Sequence, residues 1–161
     1  MQNIILSLLH RISSLPEIAY ASADWGQLSY DVPPVEWPCA LIDISQVSLH
    51  DQLQEQQSAE GIITVTLADY IDAPAQALDP PEGYALEMRI YSAIDALHQA
   101  LQGYNTAGFS PLSRRSIRRV SGSPGLRVFA IEYLSSWTET IELPPTQPVR
   151  PCFSPTVTLR K

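Results

Sequence analysis

Apolar residues recur at Ile4, Ile5, Leu8, Leu9, Ile12 and Leu15, a three- and four-residue spacing that lays them along one stripe of a helix. Pro16 should end that helix, because its ring removes a backbone donor and clashes with the turn before it. A short strand is expected over residues 18–21, followed by an irregular stretch through Trp25, Gly26 and the Pro33-Pro34 pair. From residue 37 to 49 the apolar positions alternate. Ala40, Ile42 and Ile44 share one parity and Val47 and Leu49 the other, so a strand with a bulge near Ser45 and Gln46 is predicted. A polar tip over residues 51–58 then separates it from a second alternating run, Ile62, Ile63, Val65 and Leu67 interleaved with Thr64 and Thr66. The two runs read as a long antiparallel hairpin.

Asp79-Pro80-Pro81-Glu82 carries a helix-start signature: a capping Asp, Pro in the first turn and an acid three residues on. Leu86, Ile90, Ile94, Leu97 and Leu101 continue at the helical period, Tyr84, Met88 and Tyr91 widen the apolar face, and Gly103 supplies the stop. Residues 114–120 and 126–138 read as a second hairpin, turning at Gly122-Ser123-Pro124-Gly125. Residues 142–161 hold Pro144, Pro145, Pro148, Pro151 and Pro155, so neither a helix nor a central strand can form there. The expected organisation is one domain over residues 1–141 and a Pro-rich extended arm or tail over 142–161. The expected fold class is α+β, an antiparallel sheet of four to five strands with two helices packed on it.

Composition narrows the function. At 161 residues and 45% hydrophobic, the chain can build a core without a disulfide or metal. Ten Lys and Arg against seventeen Asp and Glu give a formal charge of −7, so specific nucleic-acid binding, which rests on neutralising phosphates, is not expected. Cys39 and Cys152 make no disulfide framework. The apolar run at the N-terminus is too short to span a bilayer and lacks a cleavage site, so neither a signal peptide nor a membrane partner is expected.

The motifs of common enzymes are missing. The sequence holds no Gly-rich phosphate loop, GxSxG, HExxH, CxxC or acidic calcium loop, and the expectation is a non-enzyme with no cofactor. Asp95 and His98 sit one turn apart, but zinc takes three or four ligands, and a hydrogen bond on a helix face is the plainer reading. No metal site is expected. Asp69 and Asp72 fall at a strand end, where carboxylates are commonly structural, and Cys39 is expected to be buried rather than reactive. Trp37 and Trp137, at strand ends, are expected in the core. Trp25 fits a core or an interface.

Four of the ten basic residues fall close together, at Arg114, Arg115, Arg118 and Arg119. They read either as a solvated strand face or as an electrostatic contact to an acidic surface on a neighbouring copy or partner; contact with passing DNA is a third reading. Gln52, Gln54, Gln56 and Gln57 read as a solvated hairpin end. The candidate interface residues are Arg114, Arg115, Arg118, Arg119 and Trp25.

The helix at residues 3–12, the stretch Pro33-Pro34-Val35-Glu36-Trp37-Pro38-Cys39-Ala40-Leu41-Ile42-Asp43-Ile44, and Gly108-Phe109-Ser110-Pro111-Leu112 leading into the arginines together resemble a known family. It is the tail-terminator or minor tail proteins of tailed bacteriophages and prophages, typified by the lambda tail protein U. The resemblance covers residues 1–140 and stops at the arm. It implies a homo-oligomeric ring, hexameric in the family, that caps the tail tube, contacts the tube and head-completion proteins, and resides in the virion tail after assembly in the host cytoplasm. A head-tail joining role asks for the same kind of subunit. The alternative from a different class is a cellular protein- or peptide-binding module that uses a sheet edge or the arginine patch.

Overall fold

A computed structural model describes residues 1–53, 56–72, 82–120 and 123–140. The cap expected at residues 79–82, Gln54 of the polar tip, Gly122 of the second turn, and the Pro-rich arm with Cys152 lie wholly or partly outside them. The elements run α1 (Gln2–Ile12), β1 (Tyr20–Ala23), β2 (Cys39–Leu53), β3 (Gln56–Tyr70), α2 (Glu82–Leu101), β4 (Ser113–Val120) and β5 (Leu126–Thr140), with a short 3-10 turn at Gln27–Ser29. The fold is α+β. The five strands among the described residues form one sheet in the order β1-β2-β3-β5-β4.

The sheet is mixed, where antiparallel pairing throughout was expected. β1 runs parallel to β2, with Tyr20 opposite Cys39 and Ala23 opposite Ile42, whereas all other pairs are antiparallel. A parallel pair requires a connection that returns across the sheet, and residues 24–38 make it. The first hairpin is also longer than expected. Most of the predicted polar tip is strand, since His50 pairs with Ser58 and Leu53 with Gln56. The bulge lies where the change of parity put it, as a register shift between Ile44 and Gln46, so Ile44 and Val47 both face the helices.

Both helices cover one face. Leu8 and Ile12 of α1 and Ile90, Leu97 and Leu101 of α2 meet Ile42, Ile63, Val65, Leu67, Ile131 and Tyr133 of the sheet. Each fully buried aliphatic side chain there contributes about 1.5–3 kcal/mol of apolar burial. Trp137 joins this core, as expected, and it lies directly over Gly61, where an added Cβ would stand 2.5 Å from the indole ring. Helix α2 stops at the predicted glycine: Gly103 takes a φ of 75° and its N–H donates to the Leu112 carbonyl. The opposite face carries a smaller cluster, Cys39, Leu41, Ala68 and Val128, at one end of the sheet. Residues of the 24–38 connection, Leu28, Val35 and Trp37, pack over it, so Trp37 is partly buried there rather than in the main core.

Two titrating groups sit inside these clusters. Burial pushes the Cys39 thiol from 9.0 up to about 12. Burial also pushes the Tyr133 phenol from 10.0 up to about 12, against a smaller opposing pull from Arg114. As pH rises past 9.0 the unfolded chain sheds protons that the folded chain keeps. The associated stability is therefore fully present below that pH and is lost as pH climbs towards 12. Urea midpoints should fall through this window, and Tyr133→Phe, which removes one of the two titrations, should make the fall shallower. A midpoint independent of alkaline pH would contradict the burial of both groups.

Candidate functional site

Alternation along β4 determines what its arginines can do. Arg119 lies opposite Phe129 and Ile117 opposite Ile131, on the helix-covered face, whereas Arg118 lies opposite Ala130 on the open face. A register shift between Arg114 and Ser116 places Arg114 opposite Tyr133 and leaves Arg115 at the irregularity. The expected basic cluster is thus divided between two faces of one edge strand. On the open face Arg118 faces Glu132 at 3.9 Å, an exposed pair of small energetic weight. Arg114, whose N–H donates to the Gln102 side chain at 3.0 Å, is half-buried, while Arg115 and Arg119 are exposed.

Beside Arg119 runs an apolar stripe. Tyr84, Met88 and Tyr91 recur at four- and three-residue spacing on α2, and Tyr84 is 62% and Met88 50% exposed. The sequence pattern assigned them to a widened apolar face of the helix, and the structure leaves them exposed at the margin of that face. Tyr91 stands edge-on to Phe129 with ring centroids 6.0 Å apart. Phe129 is the cross-strand neighbour of Arg119, and Ile117 next to it is also exposed. These residues form a surface of aromatic, Met and Arg side chains, the types enriched at protein contacts.

The connection over the open face presents a second surface. Gly26 adopts a φ of 92° and its N–H is held by the Asp24 carboxylate at 2.9 Å. The fully buried Gln27 side chain pins this turn, accepting from the Trp25 N–H at 2.9 Å and donating to the Ala23 carbonyl at 2.7 Å. So anchored, Trp25 stands 56% exposed and edge-on to Tyr30, with Val32 beyond it at 82%. Tyr30, Val32, Trp37, Tyr70 and Leu126 line a groove of 370 Å³ between the connection and the sheet. Asp31, which is exposed, also lines it.

A buried ionic cluster, missed in the sequence, joins three elements. Asp69 on β3 is fully buried. Arg89 of α2 donates to it from two nitrogens, and Arg127 of β5 does so at 2.8 Å. Arg127 also donates to the Leu86 and Glu87 carbonyls at 3.0 and 2.6 Å, and Arg89 to the Tyr70 carbonyl at 3.2 Å. All of the acceptors belong to the protein fold, so the cluster locks the start of α2 to the end of the sheet, which is the structural role expected of Asp69. Asp72 is exposed and accepts from the Tyr70 hydroxyl at 3.5 Å.

Among the described residues no three His, Cys, Asp or Glu side chains converge as a metal site. The buried His98 Nδ1 has no hydrogen-bond partner, and the expected bond to Asp95 does not form. No helix among these residues is long and apolar enough to cross a membrane.

No family model matches the sequence, and no curated protein matches it. Among solved structures, a chain from the virion of a native gene transfer agent particle shares the fold, with a TM-score of 0.52 at 14% identity. The likeness covers 83% of this chain and 91% of that one.

Proposed function

We propose that this chain is a structural subunit of a phage-like virion, a ring-forming protein of the tail-terminator or tail-completion type. The observation that carries the reading is the fold shared over nearly the full length of a chain in a gene transfer agent particle. It agrees with the resemblance of residues 1–140 to phage tail terminators, two routes that start from different data. A scaffolding role also suits the surface, where large apolar side chains are displayed on both faces of the sheet. On this reading the protein is non-catalytic, forms a homo-oligomeric ring, six-membered by the resemblance, and works in the virion tail between the tube and head-completion proteins.

The test is deletion of the coding sequence from the element that encodes the chain, with electron microscopy of the particles. A terminator's loss leaves tubes of uncontrolled length, because nothing caps the growing polymer. Loss of a joining protein leaves heads and tails of ordinary length but separate. Particles that assemble and attach normally would overturn the proposal.

A further inference from the structure

Three aromatic rings, Tyr30, Trp37 and Tyr70, line the groove on the open face. Trp37 and Tyr70 have ring centroids 6.1 Å apart with planes tilted by 38°, and Tyr30 is exposed. Aromatic-lined grooves of this kind take Pro-rich segments in the polyproline II conformation, which has no internal hydrogen bonds to lose and is stiff before it binds. The arm beyond the described residues carries such a segment. Pro145, Pro148 and Pro151 recur at every third position, and a polyproline II helix has three residues per turn, so the three rings would fall along one edge.

Distance decides whose groove this segment can enter. The groove lies at the end of the sheet where Tyr70 pairs with Leu126, whereas β5 ends at Thr140, opposite Gln56. Leu126 and Thr140 are fourteen residues apart on one strand, which at about 3.3 Å per residue places the start of the arm about 46 Å from the groove. Fully extended chain covers at most about 3.6 Å per residue, so Pro148 reaches about 29 Å from Thr140 and Pro151 about 40 Å. The proline ridge falls short of the groove of its own copy.

We infer that residues 145–151 of one copy dock in the groove of Tyr30, Trp37 and Tyr70 on a neighbouring copy. Arm and groove sit at opposite ends of β5, so a copy that gives its arm still has a free groove. The exchange is therefore head-to-tail and continues from copy to copy until it closes. The inference rests on the ring-forming reading and identifies a contact that makes the ring.

The test uses the full-length chain and two variants of it. One carries Tyr30→Ala, at an exposed position of the groove, and the other carries Pro145→Ala, Pro148→Ala and Pro151→Ala together. Thermal unfolding by circular dichroism serves as the check that both fold. Light scattering should show a closed oligomer for the parent chain, and each variant alone should associate at least about tenfold more weakly, as expected when a central anchor is lost. Mixed in equal amounts, one variant supplies an intact arm and the other an intact groove, so they should form a one-to-one dimer that grows no further. A synthetic peptide of residues 142–151, added in excess to the parent, should lower its mass, and the same peptide with alanine at positions 145, 148 and 151 should not. A parent oligomer that neither the variants nor the peptide weakens would overturn the arm contact and leave the ring reading standing. Variants that are monomeric both alone and mixed would overturn the head-to-tail exchange. A parent chain that stays monomeric at millimolar concentration would overturn both readings.

Discussion

Asp69→Asn should lower the free energy of unfolding by about 3–5 kcal/mol, the usual cost of removing one partner from a buried ion pair. The carboxylate has no exposed surface and takes hydrogen bonds from both Arg89 and Arg127. Neutralising it leaves two guanidinium groups facing one another, with the side chain of Arg127 only 18% exposed, so water can restore little of the lost interaction. The α2 carbonyls that Arg127 also holds lose their support with it. Equilibrium unfolding in urea, followed by far-ultraviolet circular dichroism, measures the loss. A midpoint shift no larger than that of Arg118→Gln, which removes an exposed pair on the open face, would show that the cluster does not fasten α2 to the sheet.

Gly61→Val should be nearly as damaging, for a steric reason. A Cβ at this position meets two atoms of the Trp137 ring at 2.5 and 2.9 Å and the Gln46 carbonyl at 3.2 Å. The indole cannot step aside freely, because it is buried in the core and its Nε1 donates to Glu139 at 3.0 Å. Overpacking of this kind typically costs about 1–3 kcal/mol, occasionally more. A double-mutant cycle with Trp137→Leu isolates the clash. The smaller leucine should leave room for the methyl groups added by Gly61→Val, so the double variant should be more stable than the two single losses predict, by about 0.5–3 kcal/mol. Simple additivity would place the damage elsewhere.

Much of the fold was legible because strand and helix periods record which residues face inward. The parity change at Ser45 and Gln46 gave the bulge, and Gly103 gave the end of α2. Features that depend on distant parts of the chain were hidden. Asp69 finds Arg89 and Arg127 at separations of 20 and 58 residues, and no local pattern links them. The parallel pairing of β1 depends on the path of the 24–38 connection, which carries no periodicity. The arginines were found as a group, but their division was not. Simple alternation would put Arg114 on the same face as Arg118, whereas the irregularity at Arg115 puts it on the face of Ile117 and Arg119. The exposed stripe on α2 was read as a widening of the helix's apolar face because its residues are apolar, while how far a sheet extends beneath a helix is a tertiary property.

The two edges of the sheet bear on how such a subunit comes apart. β1 offers only four residues, and β4 carries Arg114, Arg115, Arg118 and Arg119 along its length. A short strand and a charged one are poor templates for an incoming backbone, so both edges resist fibre-like growth by strand addition. On the ring-forming reading proposed above, contacts between copies would be made by side chains rather than by a shared ladder of hydrogen bonds. On that reading, a copy that leaves the ring would keep its own sheet whole.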